Sequence, residues 1–173
     1  MKKLMIAAAI VCAAALSHAA AINWSTGNLV DHNGDVLKYA TDYTATVYFF
    51  ADQAGTQDIS ASKFGNVLVG TEASKKGEYS ATVANPTAAT GTYYTKVVIT
   101  DGKWTLESDI ASFSYDADAF SGTSINFQDG QGLSKAVLNN TGTNFGWQSV
   151  PEPTSGLLLL LGVGALALRR RRA

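Results

Sequence analysis

The sequence has 173 residues, enough for about one domain besides its ends, and its 13 basic and 14 acidic side chains leave a formal net charge of -1. Six basic residues lie at the two ends, so residues 22–148 carry 7 lysines, no arginine and 13 acidic side chains, and without clustered basic groups we expect no nucleic-acid partner. The one cysteine, Cys12, lies in an N-terminal apolar stretch, and removal of that stretch would leave no disulfide and no cysteine-based metal site.

Residues 1–21 have the three parts of a secretory signal peptide. Lys2 and Lys3 precede an apolar stretch from Leu4 to Leu16, and small residues follow it. Cleavage after Ala19 and cleavage after Ala21 fit this pattern equally well. We therefore expect a signal helix that is removed during export.

The segment Asp31-His32-Asn33-Gly34-Asp35 combines a turn signal with groups that could carry chemistry. Asn33-Gly34 predicts a hairpin turn between Leu29-Val30 and Val36-Leu37. Asp31, Asn33 and Asp35 match the first three ligand positions of a calcium-binding loop, but glycine stands at the fourth position of the loop instead of the sixth. His32 is the one histidine beyond the signal peptide, and no nucleophile motif accompanies it. We expect a solvated turn without a metal, a cofactor or a catalytic residue.

Residues 22–148 show short runs of β-branched and aromatic residues separated by Gly, Asn, Asp and Ser, which is the pattern of an all-β domain. Their spacing favours a single antiparallel β-sandwich-like domain over a barrel. The predicted strands are Thr44 to Phe50, Lys63 to Gly70, Glu78 to Val83, Thr92 to Thr100, Lys103 to Ser114 and Thr123 to Phe127.

Asp101-Gly102 separates two strand-like runs and predicts a hairpin with a type I′ turn. In the first of its strands, alternate residues share one face of the sheet. We expect the face with Tyr93, Thr95, Val97 and Ile99 to lie against the core.

From residue 116 to residue 147 the chain becomes rich in Gly, Asn, Ser and Thr. Part of this segment could form a last strand pair, and part could be a flexible linker that separates the domain from the C-terminal region. Phe145 and Trp147 would then either lie at a membrane interface or pack on the domain.

Aromatic residues offer a different kind of site. Trp24, Trp104 and Tyr94 could stack on sugar rings, as exposed aromatics do in sandwich-type carbohydrate binders, or they could simply fill a core that has no disulfide.

The C-terminal region begins with Pro151-Glu152-Pro153 and continues into thirteen residues without a polar side chain, from Gly156-Leu157 to Leu168. As a helix this run spans about 20 Å, short of the roughly 30 Å hydrocarbon core, so we expect a short transmembrane helix that thins the bilayer or is extended by its flanks. The cluster Arg169, Arg170, Arg171 and Arg172 should stay on the cytoplasmic side. The two prolines keep the residues before the helix extended.

The order of these three features resembles the PEP-CTERM sorting signal of exported bacterial proteins. The resemblance covers residues 149–173 and implies recognition by the membrane enzyme exosortase, processing near the Pro-Glu-Pro motif, transient anchoring in the inner membrane, and delivery to the cell surface or an extracellular polysaccharide matrix. It implies nothing about the body. We expect a non-catalytic surface or matrix protein, with a carbohydrate-binding module that acts on exopolysaccharide as the first alternative and a small secreted hydrolase as the second.

Overall fold

Nine β-strands account for most of the regular structure in the computed structural model, which describes residues 20–37, 43–65, 68–74 and 77–151. A single turn of helix, α1, covers Ser60–Lys63. The strands are β1 Ile22–Ser25, β2 Thr44–Phe50, β3 Leu68–Ser74, β4 Glu78–Val83, β5 Gly91–Thr100, β6 Trp104–Glu107, β7 Ala111–Tyr115, β8 Thr123–Asn126 and β9 Gln148–Ser149.

The described strands form two sheets that share β3. The first sheet has the order β8-β1-β4-β3, and the second continues from β3 through β2, β5 and β6 to β9, with β7 also paired to β5. The first half of β3 pairs with β2 and the second half with β4. All pairs are antiparallel except β1 with β8, which is parallel. The prediction of wholly antiparallel pairing is therefore wrong at this one pair.

Strong local patterns gave the most accurate strand predictions. The bounds of β2 and β4 are those predicted, and β5 differs from its prediction by one residue. On β5, Thr95, Val97 and Ile99 are completely buried and Tyr93 packs partly against the core, which confirms the predicted core face.

The strand predicted from Lys63 to Gly70 is wrong in its first half. The chain first makes the helical turn α1, whose Ser60 N–H is bonded by the Asp58 carboxylate at 2.8 Å, and the strand β3 starts only at Leu68. Phe64, the residue after α1, is 1% exposed and stacks on Phe49 with ring centroids 4.4 Å apart. The helical turn therefore delivers an aromatic side chain to the core.

The strand predicted from Lys103 to Ser114 is two strands, β6 and β7, which pair with different halves of β5. They are separated at Ser108, a buried residue whose hydroxyl accepts a hydrogen bond from the Val97 N–H at 3.0 Å. The Ser108 hydroxyl oxygen thus replaces a backbone carbonyl as the acceptor for Val97, and the hydrogen-bond ladder between β5 and β6 ends there.

The hairpin between β5 and β6 is confirmed, but its turn is not type I′. A type I′ turn would need a positive φ at both central residues, and in this loop only Gly102 has one, at 85°. The Asn33-Gly34 hairpin is also confirmed, because Val30 and Val36 form an antiparallel bridge.

One hydrophobic core contains side chains from both sheets. Trp24 and Phe127 contact edge to face on the side of the first sheet, at 6.4 Å between centroids. Ala20 is 4% exposed, and the carbonyl of Ala21 accepts a hydrogen bond from the Thr123 N–H at 2.8 Å. The two residues before β1 are therefore part of the fold.

The predicted signal helix and the predicted C-terminal membrane helix lie outside the described residues. No helix in the described part of the chain has the length and apolar character needed to cross a membrane.

Candidate functional site

The predicted sorting residues begin at the point where the described structure ends. Pro151 is the last described residue and is exposed. Glu152, Pro153, the apolar run with Gly156, Leu157 and Leu168, and the arginines Arg169, Arg170, Arg171 and Arg172 lie outside the described residues, as does Ala19. The described structure shows the residues that immediately precede the motif.

Strand β9 joins this chain to the body. It pairs with β6 through Trp104 opposite Ser149 and Thr105 opposite Gln148, and the Val150 N–H donates to the Lys103 carbonyl at 2.7 Å. In an antiparallel ladder, alternate residues direct their backbone N–H toward the partner strand. Since Val150 directs its N–H toward β6, the position of Pro151 faces away from it. A proline there removes no ladder bond, which fits the rule that proline is tolerated on edge strands.

Trp147 fixes the residues just before β9. Its side chain is 3% exposed, its indole N–H donates to the Val30 carbonyl at 2.8 Å, and its ring contacts Tyr43 edge to face at 5.2 Å. The Val30 carbonyl is 117 positions away in the sequence, so this contact ties the C-terminal segment to the first hairpin of the body.

Asn140 makes the second connection to the same hairpin. Its amide oxygen accepts from the Val30 N–H at 2.6 Å, and its amide nitrogen donates to the carbonyls of Val30 at 3.1 Å and Phe145 at 2.8 Å. Asn140 is 8% exposed, so these hydrogen bonds satisfy a buried amide. We call residues 140–150 the C-terminal clasp.

The turn in the middle of the clasp has an unusual backbone. Asn144, Phe145 and Gly146 have φ values of 50°, 51° and 80°, in the left-handed region that side chains with a Cβ rarely adopt. A Cβ at Gly146 would overlap the carbonyl oxygen of Asn139. Gly146 adopts such a φ readily, but Asn144 and Phe145 do so only where surrounding contacts offset the cost. Asn140 donates to the Phe145 carbonyl and the Trp147 N–H donates to the Asn144 carbonyl, and these bonds provide the contacts.

These contacts correct the expectation of a flexible linker. Trp147, Val137 and Leu138 are buried, and Phe145 is partly buried against the core. The alternative in which Phe145 and Trp147 pack on the domain is confirmed. The clasp was missed because its Gly, Asn and Thr residues are typical of loops, and the one local signal for it is a tryptophan within a polar segment.

The aromatic residues predicted to stack on sugars do not lie together. Trp24 is 2% exposed and belongs to the core, so it offers no face to a ligand. Trp104 is half-buried and lies on the same face of β6 as Leu106, which is opposite the core residue Ile99. Tyr94 lies on the opposite face of β5 from Ile99. A shared platform of these three residues is therefore excluded.

His32 covers one face of Trp104. The two rings are stacked with centroids 4.3 Å apart and planes 12° apart. The Nδ1 atom of His32 is buried and has no hydrogen-bond partner among the described residues, so no carboxylate orients the imidazole through that nitrogen. The expectation of a solvated histidine is wrong, because the ring is half-buried against the indole.

The carboxylate of Asp31, next to His32, stabilises the turn itself. One Asp31 carboxylate oxygen accepts from the N–H groups of Asn33 at 2.8 Å and Asp35 at 2.9 Å, the arrangement of an Asx turn. Within the described part of the chain, no three His, Cys, Asp or Glu side chains are grouped so that they could hold a metal ion.

Asp101 stabilises the turn between β5 and β6, the strand that pairs with β9 of the clasp. Its carboxylate accepts from the N–H groups of Trp104 at 2.6 Å and Lys103 at 2.8 Å. Burial alone would raise the pKa of Asp101, but these hydrogen bonds favour the charged form and bring its pKa below the ordinary value.

The chain that leaves the clasp can be compared with known sequences. Residues 149–172 match the family model of the PEP-CTERM protein-sorting motif. The match confirms the C-terminal resemblance and covers only that segment. The motif is the signal that exosortase recognises, so the chain is an exported protein that is sorted at a membrane. Neither the curated proteins nor the solved structures contain a significant match to this chain.

Proposed function

We propose that this chain is a non-catalytic protein of the bacterial cell surface or extracellular matrix, which exosortase processes near Pro151-Glu152-Pro153. The match to the sorting motif over residues 149–172 carries the proposal. The apolar run from Gly156 to Leu168 would hold the chain in the inner membrane, with the arginines that follow on the cytoplasmic side. Processing would then free the body for the surface.

The body that is delivered in this way is proposed to be a β-sandwich. Support comes from the single core to which both sheets contribute, as in two sheets packed face to face. The non-catalytic part of the proposal is supported by His32, the body's one histidine, whose ring is packed against Trp104 as a structural element. A purified body that hydrolysed a glycan or a peptide would overturn this part.

The test of processing is the intact mass of the protein recovered from the native host's envelope and medium. We expect the wild-type chain to end near Val150, and a Glu152→Ala variant to keep its tail and remain in the inner membrane. Asp118→Ala is the matched control, because it removes an exposed carboxylate from the body and leaves the motif intact. A wild-type mass that still ends at Ala173 would overturn the proposal.

A groove across β8, β1 and β4 favours binding of exopolysaccharide as a second candidate function. Hydroxyl and amide side chains, which can pair with sugar hydroxyls, form much of its lining: Asn23, Ser25, Ser80, Thr82, Ser124 and Gln131. Affinity gels containing the host polysaccharide would test this candidate. Retardation lost in Asn23→Ala but kept in Trp104→Ala would place binding in the groove, and the reverse would place it at the half-buried indole.

A further inference from the structure

The sorting motif begins with almost no free chain between it and the body. Among the described residues, the last backbone hydrogen bond to the body is made by Val150, and five residues, 151–155, separate it from the apolar run that starts at Gly156. Five extended residues span at most about 18 Å. With the apolar run in the bilayer, the body and the clasp must therefore lie close to the membrane surface.

An extended peptide is commonly bound through its backbone N–H and C=O groups, which pair with the protein that recognises it, and we take this mode for the enzyme that cuts this chain. On the N-terminal side of the motif, these groups are already in use. The Val150 N–H is bonded to Lys103, and Gln148 is paired with Thr105. Trp147, one residue earlier, is buried against Val30 and Tyr43. The closed clasp thus withholds the residues that precede the motif from an enzyme.

The same segment has the features of a part that opens locally. Strand β9 has two residues, both exposed, and it lies at the edge of its sheet. Asn144 and Phe145 hold positive φ values of 50° and 51°, a conformation that costs energy in residues with a Cβ. Segments with short ladders and strained turns open with free energies below that of global unfolding.

We propose that the clasp must open before exosortase can process the chain, so that detachment of Trp147 and β9 from the body sets the rate of processing. The inference rests on the proposed function and adds to it a conformational step within the substrate. After the tail has been removed, β9 pairs with β6 again and the body keeps its complete sheet.

A reversible cross-link between β6 and β9 tests the inference. Thr105 and Gln148 lie opposite each other, two positions from the bonded pair of Lys103 and Val150. A hydrogen-bonded antiparallel pair has Cα atoms about 5.5 Å apart, within the range that a disulfide bridges. No cysteine other than Cys12 occurs in the sequence. The double variant Thr105→Cys/Gln148→Cys therefore carries one designed bond in the exported chain.

The matched control is Thr92→Cys/Ser114→Cys, which cross-links the opposite residues of β5 and β7 far from the clasp. Each chain is followed by pulse–chase in the native host, with intact mass and membrane fractionation as the readouts, before and after addition of dithiothreitol. We expect the oxidised β6–β9 variant to be processed at least tenfold more slowly than the wild type, and to regain the wild-type rate on reduction. The control should match the wild type in both states.

The outcomes separate the two proposals. An oxidised β6–β9 variant processed as fast as the wild type would overturn the clasp inference alone. A variant that stays slow after reduction would also overturn it, because the slow step would then be independent of the cross-link. A wild-type chain that is never processed would overturn the proposed function itself. Asn140→Ala, which removes the amide contacts to Val30 and Phe145, tests the opposite direction and should be processed at least twofold faster; an unchanged rate would count against the inference.

Discussion

Replacement of Trp147 by alanine tests whether the C-terminal segment belongs to the folded body. An aromatic side chain of this kind buries about 150–250 Å², which corresponds to about 4–6 kcal/mol at about 25 cal/mol per Å², and this is an upper value because the unfolded chain already hides some surface. With Trp147 only 3% exposed, we expect Trp147→Ala to lower the free energy of unfolding by about 3–5 kcal/mol.

The hydrogen bond of the indole can be separated from its packing by Trp147→Phe. The Val30 carbonyl would keep its bond from the Asn140 amide at 3.1 Å, so no buried carbonyl is left without a partner. The loss is then about 1–2 kcal/mol, from one hydrogen bond and part of the ring. For a domain of this size, each kcal/mol lowers the melting temperature by about 3–5 °C.

The assay is thermal unfolding of residues 20–151, followed by circular dichroism at neutral pH. Trp104→Ala is the control, because Trp104 is also a tryptophan next to β9 but is only half-buried, and we expect less than half of the loss seen for Trp147→Ala. Equal melting temperatures for the wild type and Trp147→Ala would refute the reasoning, since they would mean that the segment is a linker.

Three further predictions concern the backbone, the N-terminus and pH. Gly146→Ala should cost at least about 2 kcal/mol in chemical denaturation, because its φ is 80° and a Cβ would meet the Asn139 carbonyl. Gly65→Ala, at a φ of 87° with open space around it, should cost about 1 kcal/mol, and equal costs would contradict the close contact at Gly146. The mature chain should begin at Ala20, since cleavage after residue 21 would remove the buried Ala20 and the Ala21 carbonyl that accepts from the Thr123 N–H, and an intact mass that starts at Ile22 would contradict this. The pKa of Asp101 is lowered on folding, so its stabilising effect is present above the ordinary carboxyl pKa of about 4 and is lost as pH falls through the folded value. The difference in melting temperature between wild type and Asp101→Asn should therefore shrink below about pH 4. A difference that stays constant with pH would contradict this role of Asp101.

The parts of the fold that could be predicted are those encoded within a few neighbouring residues. β4 alternates polar and apolar side chains over all six residues and β2 over its first four, which is the signature of a half-buried strand. β5 could be predicted because it is a continuous run rich in β-branched and aromatic residues. β1 has four residues and depends on partners far along the chain. The break between β6 and β7 depends on the Ser108 hydroxyl meeting Val97, which no local pattern indicates.

The candidate functional site also has one part that could be predicted from neighbouring residues and one part that could not. The sorting motif was recognisable because its proline, apolar and arginine features are contiguous. The clasp was not, because its decisive contact joins Trp147 to Val30, 117 positions away. The Gly, Asn and Thr residues of the clasp favour a flexible linker. The long-range hydrogen bond and the burial of Trp147 outweigh this local preference.

The parallel pairing of β1 with β8 has a consequence for the order in which the exported chain folds. Ile22 lies beside Thr123 on one side and beside Val83 on the other, so both neighbours of the first strand emerge on the far side of the membrane long after it. Loop closure over such separations is slow. The N-terminal part of the body therefore stays unfolded during translocation, and the fold is completed only when nearly all of the body has crossed the membrane.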